Sequence, residues 1–342
     1  MYTYRGNIHV HSTLSDGTKS VDEIAEIANK ANLDFVCITD HSCFDFDKTG
    51  YYDDLLLIMG TELNKKKHHY LALGINEEVK EDCDNPQSVI NKVKEQNGVG
   101  IIAHPCEKGS KIMFNGANFP WTDWEVDGYD GIEVWNYCSQ WKDGISSKIQ
   151  ALKNLLFTPY KPITGPCPES MRIFDKVSQK RKVFAIAGTD IHSPKIGIWE
   201  ILSYKQLFNA LNNYVITDEK LPKDANKAEW IILDSIKRGR SYFAFEVYQK
   251  AEGFKYFIQS EKDKQVHSIG SELQLAQGLT ADIKLPENKK ADIYLIKNGS
   301  TFSKLMETSE ASVSITDCGV YRVEVWLGKS PWIFSNNIYI RE

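Results

Sequence analysis

The chain has 342 residues, 42% apolar and 25% charged, the composition of an ordinary soluble globular protein and not of a disordered or fibrous one. Its formal charge of -5 is spread along the chain without a long basic block, so no nucleic-acid footprint is evident. No run approaches the roughly 18 apolar residues of a membrane helix, so no membrane association is expected. The seven cysteines, an odd number without a C-x-x-C pair, read as reduced thiols, and the first histidines lie too close to Met1 for a cleaved leader. A cytoplasmic enzyme is expected.

In chain order, the first strand ends in His9-x-His11, followed by Ser15-Asp16-Gly17. Two imidazoles at alternate positions of an extended segment point the same way and can share one cation. Ser20-Val21-Asp22-Glu23 is a capping box that starts a helix with Ile24, Ile27, Ala28 and Ala31 on one face. Phe35 to Thr39 is a strand leading into Asp40-His41, and Leu55 to Gly60 leads into Thr61-Glu62. His68 and His69 precede the apolar run Tyr70 to Ile75. Asn85 caps a helix opened by Pro86, with Val89, Ile90 and Val93 inward. Val99 to Ala103 reaches His104, and the run around Gly131 to Val134 carries Glu133 inside it. Ser170 to Lys180 reads as a helix, and Val183 to Ala187 opens into Gly188-Thr189-Asp190-Ile191-His192. Lys223 to Gly239 is a last helix. From about Tyr242, short alternating runs such as Lys255 to Ile258, Ala291 to Ile296, Tyr321 to Trp326 and Asn337 to Ile340 mark a small antiparallel β domain.

Alternating strands and helices predict a parallel α/β sheet or barrel, in which functional groups gather at the carboxyl ends of the strands. Five of the eight histidines, His9, His11, His41, His104 and His192, sit just past an apolar strand. One such histidine says little; the ordered set points to a metal site. Histidine mixed with carboxylate suits zinc or manganese better than magnesium or calcium. Cations about 3.5 to 4 Å apart suit phosphoester hydrolysis, because they stabilise both the attacking and the leaving oxygen.

The ordered motifs His9-x-His11 with Ser15-Asp16-Gly17, Ile38-Thr39-Asp40-His41, Gly60-Thr61-Glu62, Ile102-Ala103-His104-Pro105 and Gly188 to His192 resemble those of the PHP (polymerase and histidinol phosphatase) superfamily. Ile132-Glu133-Val134-Trp135-Asn136 and the closing Tyr321 to Trp326, Pro331-Trp332-Ile333 and Ser335-Asn336 are similar to the CehA/McbA-type metallohydrolases. The resemblance implies a distorted (β/α)7 TIM-like barrel over residues 1–245, and the alternating runs that follow are expected to form an Ig-like β-sandwich accessory domain over 246–342. It also implies two or three divalent transition-metal ions, zinc, manganese or iron. Carried over by motif, His9, His11, Glu62 and Asp190 hold the first ion, Asp16, His41 and His192 the second, and Glu62, His104 and Glu133 the third.

With Asp16, Glu62, Glu133 and Asp190 all ionised, two divalent ions balance the site and a third leaves it positive, which favours phosphate. The expected function is a metal-dependent phosphoesterase acting on a phosphorylated small molecule through a metal-bridging hydroxide supported by Glu62 and Asp190. The alternatives are a carbamate, ester or amide hydrolase and a non-catalytic metal-containing carbohydrate-binding protein. Asp40 is expected to orient a neighbouring ligand, and His69 to support one from behind. Arg172 and Lys195 are candidates to clamp an anionic substrate. Trp121, Trp124, Trp135, Tyr137 and Trp141 are core residues or line a pocket.

Overall fold

The computed structural model describes residues 1–112, 116–196, 199–261 and 264–342. Seven strands close a barrel: β1 (Tyr2–Val10), β2 (Phe35–Ile38), β3 (Leu55–Leu63), β4 (Tyr70–Leu73), β5 (Val99–Ile102), β6 (Gly131–Asn136) and β7 (Phe184–Ile191). They pair in that order and β7 returns to β1. The barrel helices are α1 (Val21–Lys30), α2 (Pro86–Glu95), α3 (Tyr137–Asp143), α4 (Lys148–Phe157), α5 (Pro168–Ser178), α6 (Tyr204–Phe208) and α7 (Ala225–Lys237).

The period of two along each strand divides the apolar residues between two cores. Phe35, Cys37, Leu56, Ile58, Leu71 and Leu73 pack in one cluster with Ala228, Ile232 and Ile236 of α7. That cluster is the barrel interior, which α7 closes at the amino ends of the parallel strands. The alternate residues Val36, Ile38, Leu55, Leu57, Tyr70 and Ala72 pack with Ile24 and Ala28 of α1 and Val89 and Ile90 of α2 in the outer layer. The same parity carried along β3 turns Glu62 inward at the carboxyl end.

The barrel departs from the all-parallel expectation at β4, which runs antiparallel to both neighbours. The link over residues 64–69 is too short for a parallel crossover, which takes a dozen or more residues. The amino end of β4 therefore lies at the barrel mouth, and His69 with it.

The capping box forms as expected: Ser20 Oγ accepts from the Glu23 amide and the Glu23 carboxylate accepts from the Ser20 amide. Asn85 occupies the cap position of α2, but its side chain makes no capping bond; Pro86 fixes the first turn without it. The helix read from Ser170 begins two residues earlier, at Pro168, and ends at Ser178. The last helix starts at Ala225 because Asp224 accepts from the Lys227 amide.

Beyond the barrel, β8 (Leu211–Thr217) pairs antiparallel with β1, β9 (Ser241–Phe245) pairs with β8, and the strand Ser330–Ser335 pairs with β9. The barrel sheet thus runs on, as one 16-stranded sheet, into the C-terminal region. There it faces a separate four-stranded antiparallel sheet formed by Lys255–Ser260, Val266–Ser268, Leu279–Lys284 and Glu310–Ile315. The two sheets share a core that includes Ile258, Ala281, Ile283, Leu295, Val323 and Trp332. Arg322 crosses to α5, where its Nε and Nη2 donate to the two carboxylate oxygens of Asp175 at 2.8 and 2.9 Å. Asn336 brackets Ala185 of β7, accepting from its amide and donating to its carbonyl.

Candidate metal centre

His9 is not in regular extended backbone. Its φ is 69°, and the pairing of β1 with both β2 and β7 shifts register between Ile8 and Val10. Strict alternation from the inward Ile8 would turn His9 and His11 outward. The bulge reverses the parity: Val10 joins the outer layer, and both imidazoles face the mouth. Asp190 and His104 also hold positive φ, 54° and 27°, a backbone that non-glycine residues adopt at a cost and that clusters at functional sites.

Four atoms from three strands then converge. His9 Nε2 lies 3.3 Å from both Glu62 Oε2 and Asp190 Oδ1, and His11 Nε2 lies 3.3 and 3.2 Å from the same two oxygens. A second group comprises His11, Asp16, His41 and His192, and a third His41, Glu62 and His69. The three groups are chained through shared members, His11, His41 and Glu62. A short parallel bridge between His41 and Glu62 continues the β2–β3 pairing into the mouth.

Several histidines have one ring nitrogen tied to an oxygen and the other turned to the cluster, the arrangement of metal-ligating histidine. His9 Nδ1 is 2.9 Å from Glu133 Oε1, His192 Nδ1 is 2.9 Å from the Asp190 carbonyl, and His69 Nε2 is 3.2 Å from the Lys65 carbonyl. His69 Nδ1 stands 2.7 Å from Glu62 Oε1. Buried polar atoms normally have partners, yet among the described residues His9 Nε2, both ring nitrogens of His11, His41 Nδ1 and His104 Nδ1 are buried without a hydrogen bond.

The electrostatics follow from packing carboxylates and imidazoles together away from water. Burial works against a charge on His9, but Glu133, Asp190 and Glu62 outweigh it and raise its pKa well above the ordinary value. Burial likewise opposes charge on His11 and His104, and the close carboxylates, led by Asp190 and Glu62 for the first and by Glu62 for the second, push each up to about 9. Burial dominates at His41 and lowers it to about 4. Burial also disfavours the charged forms of Glu62 and Asp190, and the surrounding histidines overcome it, holding both well below the carboxylate range.

The other candidates fall in different places. Glu133 stands behind His9, with Oε2 accepting from the His104 amide at 2.7 Å and from Asn136 Nδ2 at 3.0 Å; it belongs to none of the three donor groups among the described residues. His104 Nε2 reaches Glu62 Oε1 at 3.1 Å. Asp40 accepts from the Ser12 amide, Ser12 Oγ and Ser15 Oγ and so pins the loop between His11 and Asp16. Arg172 is not at the mouth. With Met171 and Phe174 buried against the barrel, it turns to a separate cleft between α5 and the C-terminal strands. Lys195 is exposed and lies outside the residues lining the mouth. His68 bonds to the Cys83 carbonyl and Thr122 Oγ1, away from the cluster. Of the aromatic segment, Trp121, Trp135 and Tyr137 are core, while Trp141 is buried yet lines the mouth.

Two contributors had gone unassigned. Asn136, at the end of β6, spans Glu133 and Asp190, with Nδ2 3.3 Å from Asp190 Oδ2, and also caps α3. Its place at the end of a strand that carries an acid is the available clue. Gly188 is required by space: a Cβ there would lie 1.6 Å from Glu133 Oε1 and 3.0 Å from the His9 Cβ.

Residues 7–126 match the PHP domain family. The uncharacterized protein MJ1587 of Methanocaldococcus jannaschii is 24% identical over 172 residues, covering 46% of this chain and 95% of that protein. Among solved structures, a two-domain Bacteroides vulgatus protein containing a predicted PHP-like metal-dependent phosphoesterase aligns over 98% of this chain and 95% of its own, at 14% identity and a TM-score of 0.48. A candidate metal-dependent phosphoesterase from Bifidobacterium adolescentis covers 57% of this chain and 92% of its own, at 16% identity and a TM-score of 0.32. The segment similar to the PHP domain thus contains His9, His11, Asp16, His41, Glu62, His69 and His104 of the mouth, while Glu133, Asp190 and His192 lie beyond it.

Proposed function

We propose that this protein is a metal-dependent phosphoesterase whose barrel mouth binds two or three divalent ions, zinc, manganese or iron. The observation that carries the reading is the spacing of His9 Nε2, His11 Nε2, Glu62 Oε2 and Asp190 Oδ1, whose four nitrogen–oxygen separations run from 3.2 to 3.3 Å. Two donors about 2.0 to 2.2 Å from one ion at a tetrahedral angle stand roughly 3.4 Å apart. The buried nitrogens without hydrogen bonds support the same fit.

His11, Asp16, His41 and His192 suit a second ion, and the chaining of the groups favours adjacent ions and hence a phosphoester. Glu62, with His41, His69 and His104 around it, is our choice for the third position, with Glu133 orienting His9 from behind. Bound there, divalent ions polarise the scissile bond and acidify the attacking water. The protein's own groups then have defined tasks. Asn136 holds Glu133 and Asp190 in place, and Asp40 fixes the loop that presents Asp16.

We assign residues 1–245 to the catalytic barrel and 246–342 to an accessory β domain, and place the protein in the CehA/McbA-like subgroup on its Ile132 to Asn136 and C-terminal motifs. The seven unpaired thiols support a reducing compartment, the cytoplasm. Among the described residues no helix is long and apolar enough to cross a membrane.

Hydrolysis of a neutral ester or carbamate is the second reading, favoured by the shortage of free cations at the mouth: Lys142 is tied to Glu107, and Arg172 lies elsewhere. Protein reloaded with manganese, zinc or iron and offered a phosphomonoester, a phosphodiester and an aryl carboxylic ester side by side separates the two. Turnover of a phosphoester is expected; strict preference for the carboxylic ester moves the assignment to the second reading, and metal-loaded protein inert toward all three removes both.

A further inference from the structure

The mouth opens into a cavity of about 730 Å³, a size that encloses a small organic ligand. The donor groups occupy one end, and the remaining wall is apolar, formed by Phe119, Trp141, Leu152, Leu155, Ile201 and Leu202. Three of the polar groups within that wall bond to one carboxylate, that of Glu107. Lys142 Nζ pairs with Glu107, Ser139 Oγ donates to the same carboxylate at 2.9 Å, and the Phe119 amide donates to its other oxygen at 2.7 Å. That network fixes the wall and leaves the ligand little to bond. Of the two lysines among the described lining residues, Lys148, exposed at the start of α4, makes no ion pair with another described residue. Leu152 is 59% exposed although it lines the cavity, so apolar surface stands open beside a strongly polar centre.

A sugar or a nucleobase entering this space would lose its bonds to water and find few replacements, a penalty paid for each unmatched polar group. An apolar group would gain by covering Leu152 and its neighbours.

We infer that the substrate is an ester of a bulky apolar alcohol, aryl or medium-chain alkyl, with the phosphoryl group at the donor cluster and the alcohol's hydrocarbon against α4 and Trp141. The inference rests on the hydrolase reading above for its reaction and on the cavity alone for its specificity. In that reaction water supplies the hydroxyl that bonds to phosphorus, the bond between phosphorus and the alcohol oxygen breaks, and the alcohol leaves carrying water's other proton. The products are the free alcohol and inorganic phosphate, with no change of oxidation state.

The test is a series of alkyl phosphates from ethyl to octyl, with 1-naphthyl phosphate and glucose 6-phosphate, on the metal-loaded enzyme. Each added methylene is expected to raise kcat/KM roughly threefold to fourfold until the cavity is full, and Leu152→Ser to raise KM for octyl phosphate severalfold. In parallel, calorimetry of 1-naphthol binding to chelator-treated and metal-loaded protein reads the cavity without turnover, with a negative heat-capacity change expected in both. Hydrolysis indifferent to chain length, with glucose 6-phosphate as good as octyl phosphate and no naphthol binding, overturns the specificity while the hydrolase stands. Naphthol binding with no hydrolysis of any ester leaves the apolar site and removes the reaction.

Discussion

Arg5 and the histidines of the barrel mouth are buried in the same barrel, but their polar atoms are partnered in opposite ways. Arg5 donates through Nε to Glu246 at 2.7 Å, through Nη1 to the Ala31 carbonyl at 2.9 Å and through Nη2 to the Phe208 carbonyl at 3.0 Å. Glu246 in turn accepts from Asn212, Tyr214 and the Ala251 amide. Each member has a partner, so the network costs little and ties β1 to β8 and to the residues after β9. In the mouth, carboxylates and imidazoles crowd to 3.2 or 3.3 Å, while among the described residues five imidazole nitrogens are buried without a hydrogen bond. Buried charge that is fully bonded holds a shape; buried donors aimed at one another are arranged to hold something else.

This contrast predicts different consequences for damage at each place. The largest effect is expected from Asp190→Asn or Glu62→Gln: loss of a residue behind the donors costs about 10- to 100-fold in metal affinity or activity, so loss of a donor exceeds that, and metal-reconstituted kcat/KM falls by more than about 100-fold while unfolding stays cooperative. Wild-type activity in Asp190→Asn would refute the assigned role. Arg5→Ala leaves the buried Glu246 only the Lys250 ammonium at 3.9 Å to balance its charge and should lower stability by about 3 kcal/mol, read from urea midpoints, with metal content per folded chain unchanged. If metal were lost and stability kept, the two clusters would not be distinct.

Asn136→Ala removes the amide between Glu133 and Asp190. A loss of about 10- to 100-fold in metal affinity is expected, together with roughly 1 kcal/mol from the missing cap of α3; competition with a metallochromic chelator measures the first. The smallest effect concerns pH. His11 and His104 rise from 6.5 to about 9 in the folded, metal-free protein, so the native state binds their protons more tightly than the unfolded chain. Their contribution is complete below about pH 6.5 and lost as pH climbs through about 9. Cation binding displaces the same protons, so metal affinity should strengthen across the window in which the metal-free protein weakens. Urea midpoints across that range, with chelator and with saturating metal, test the sign; metal-free protein that gains stability toward pH 9 would contradict it.

The barrel and the identity of most mouth residues were legible because both follow from short-range rules: apolar strands, caps, and polar residues just past strand ends. What was missed depends on geometry that spacing does not carry. Alternation alone pairs His9 with His11 but gives the wrong side; the positive φ at His9 brings both inward. The reversal of β4, which sets His69 beside Glu62, follows from a link too short for a crossover, read only once strand ends are known. Glu133 has the chemistry of a ligand, and its position behind His9 is fixed by the His104 amide and Asn136, both distant from His9 in sequence. Arg172 sits on a helix whose apolar face was recognised, but nothing in the sequence says that the other face meets the C-terminal strands. α3 and α4 escaped notice. α4 buries only Asn154 and leaves Ile149, Leu152, Leu156 and Phe157 exposed, so its pattern does not resemble an ordinary surface helix.

The proposal that the mouth is a metal centre is tested most directly by elemental analysis of protein purified without chelators and then reloaded, beside Asp190→Asn treated identically. Two or three zinc, manganese or iron ions per wild-type chain, with at least one lost from the variant, are expected. A wild-type protein that retains no transition metal after reloading, or a variant that retains the full complement, would contradict it.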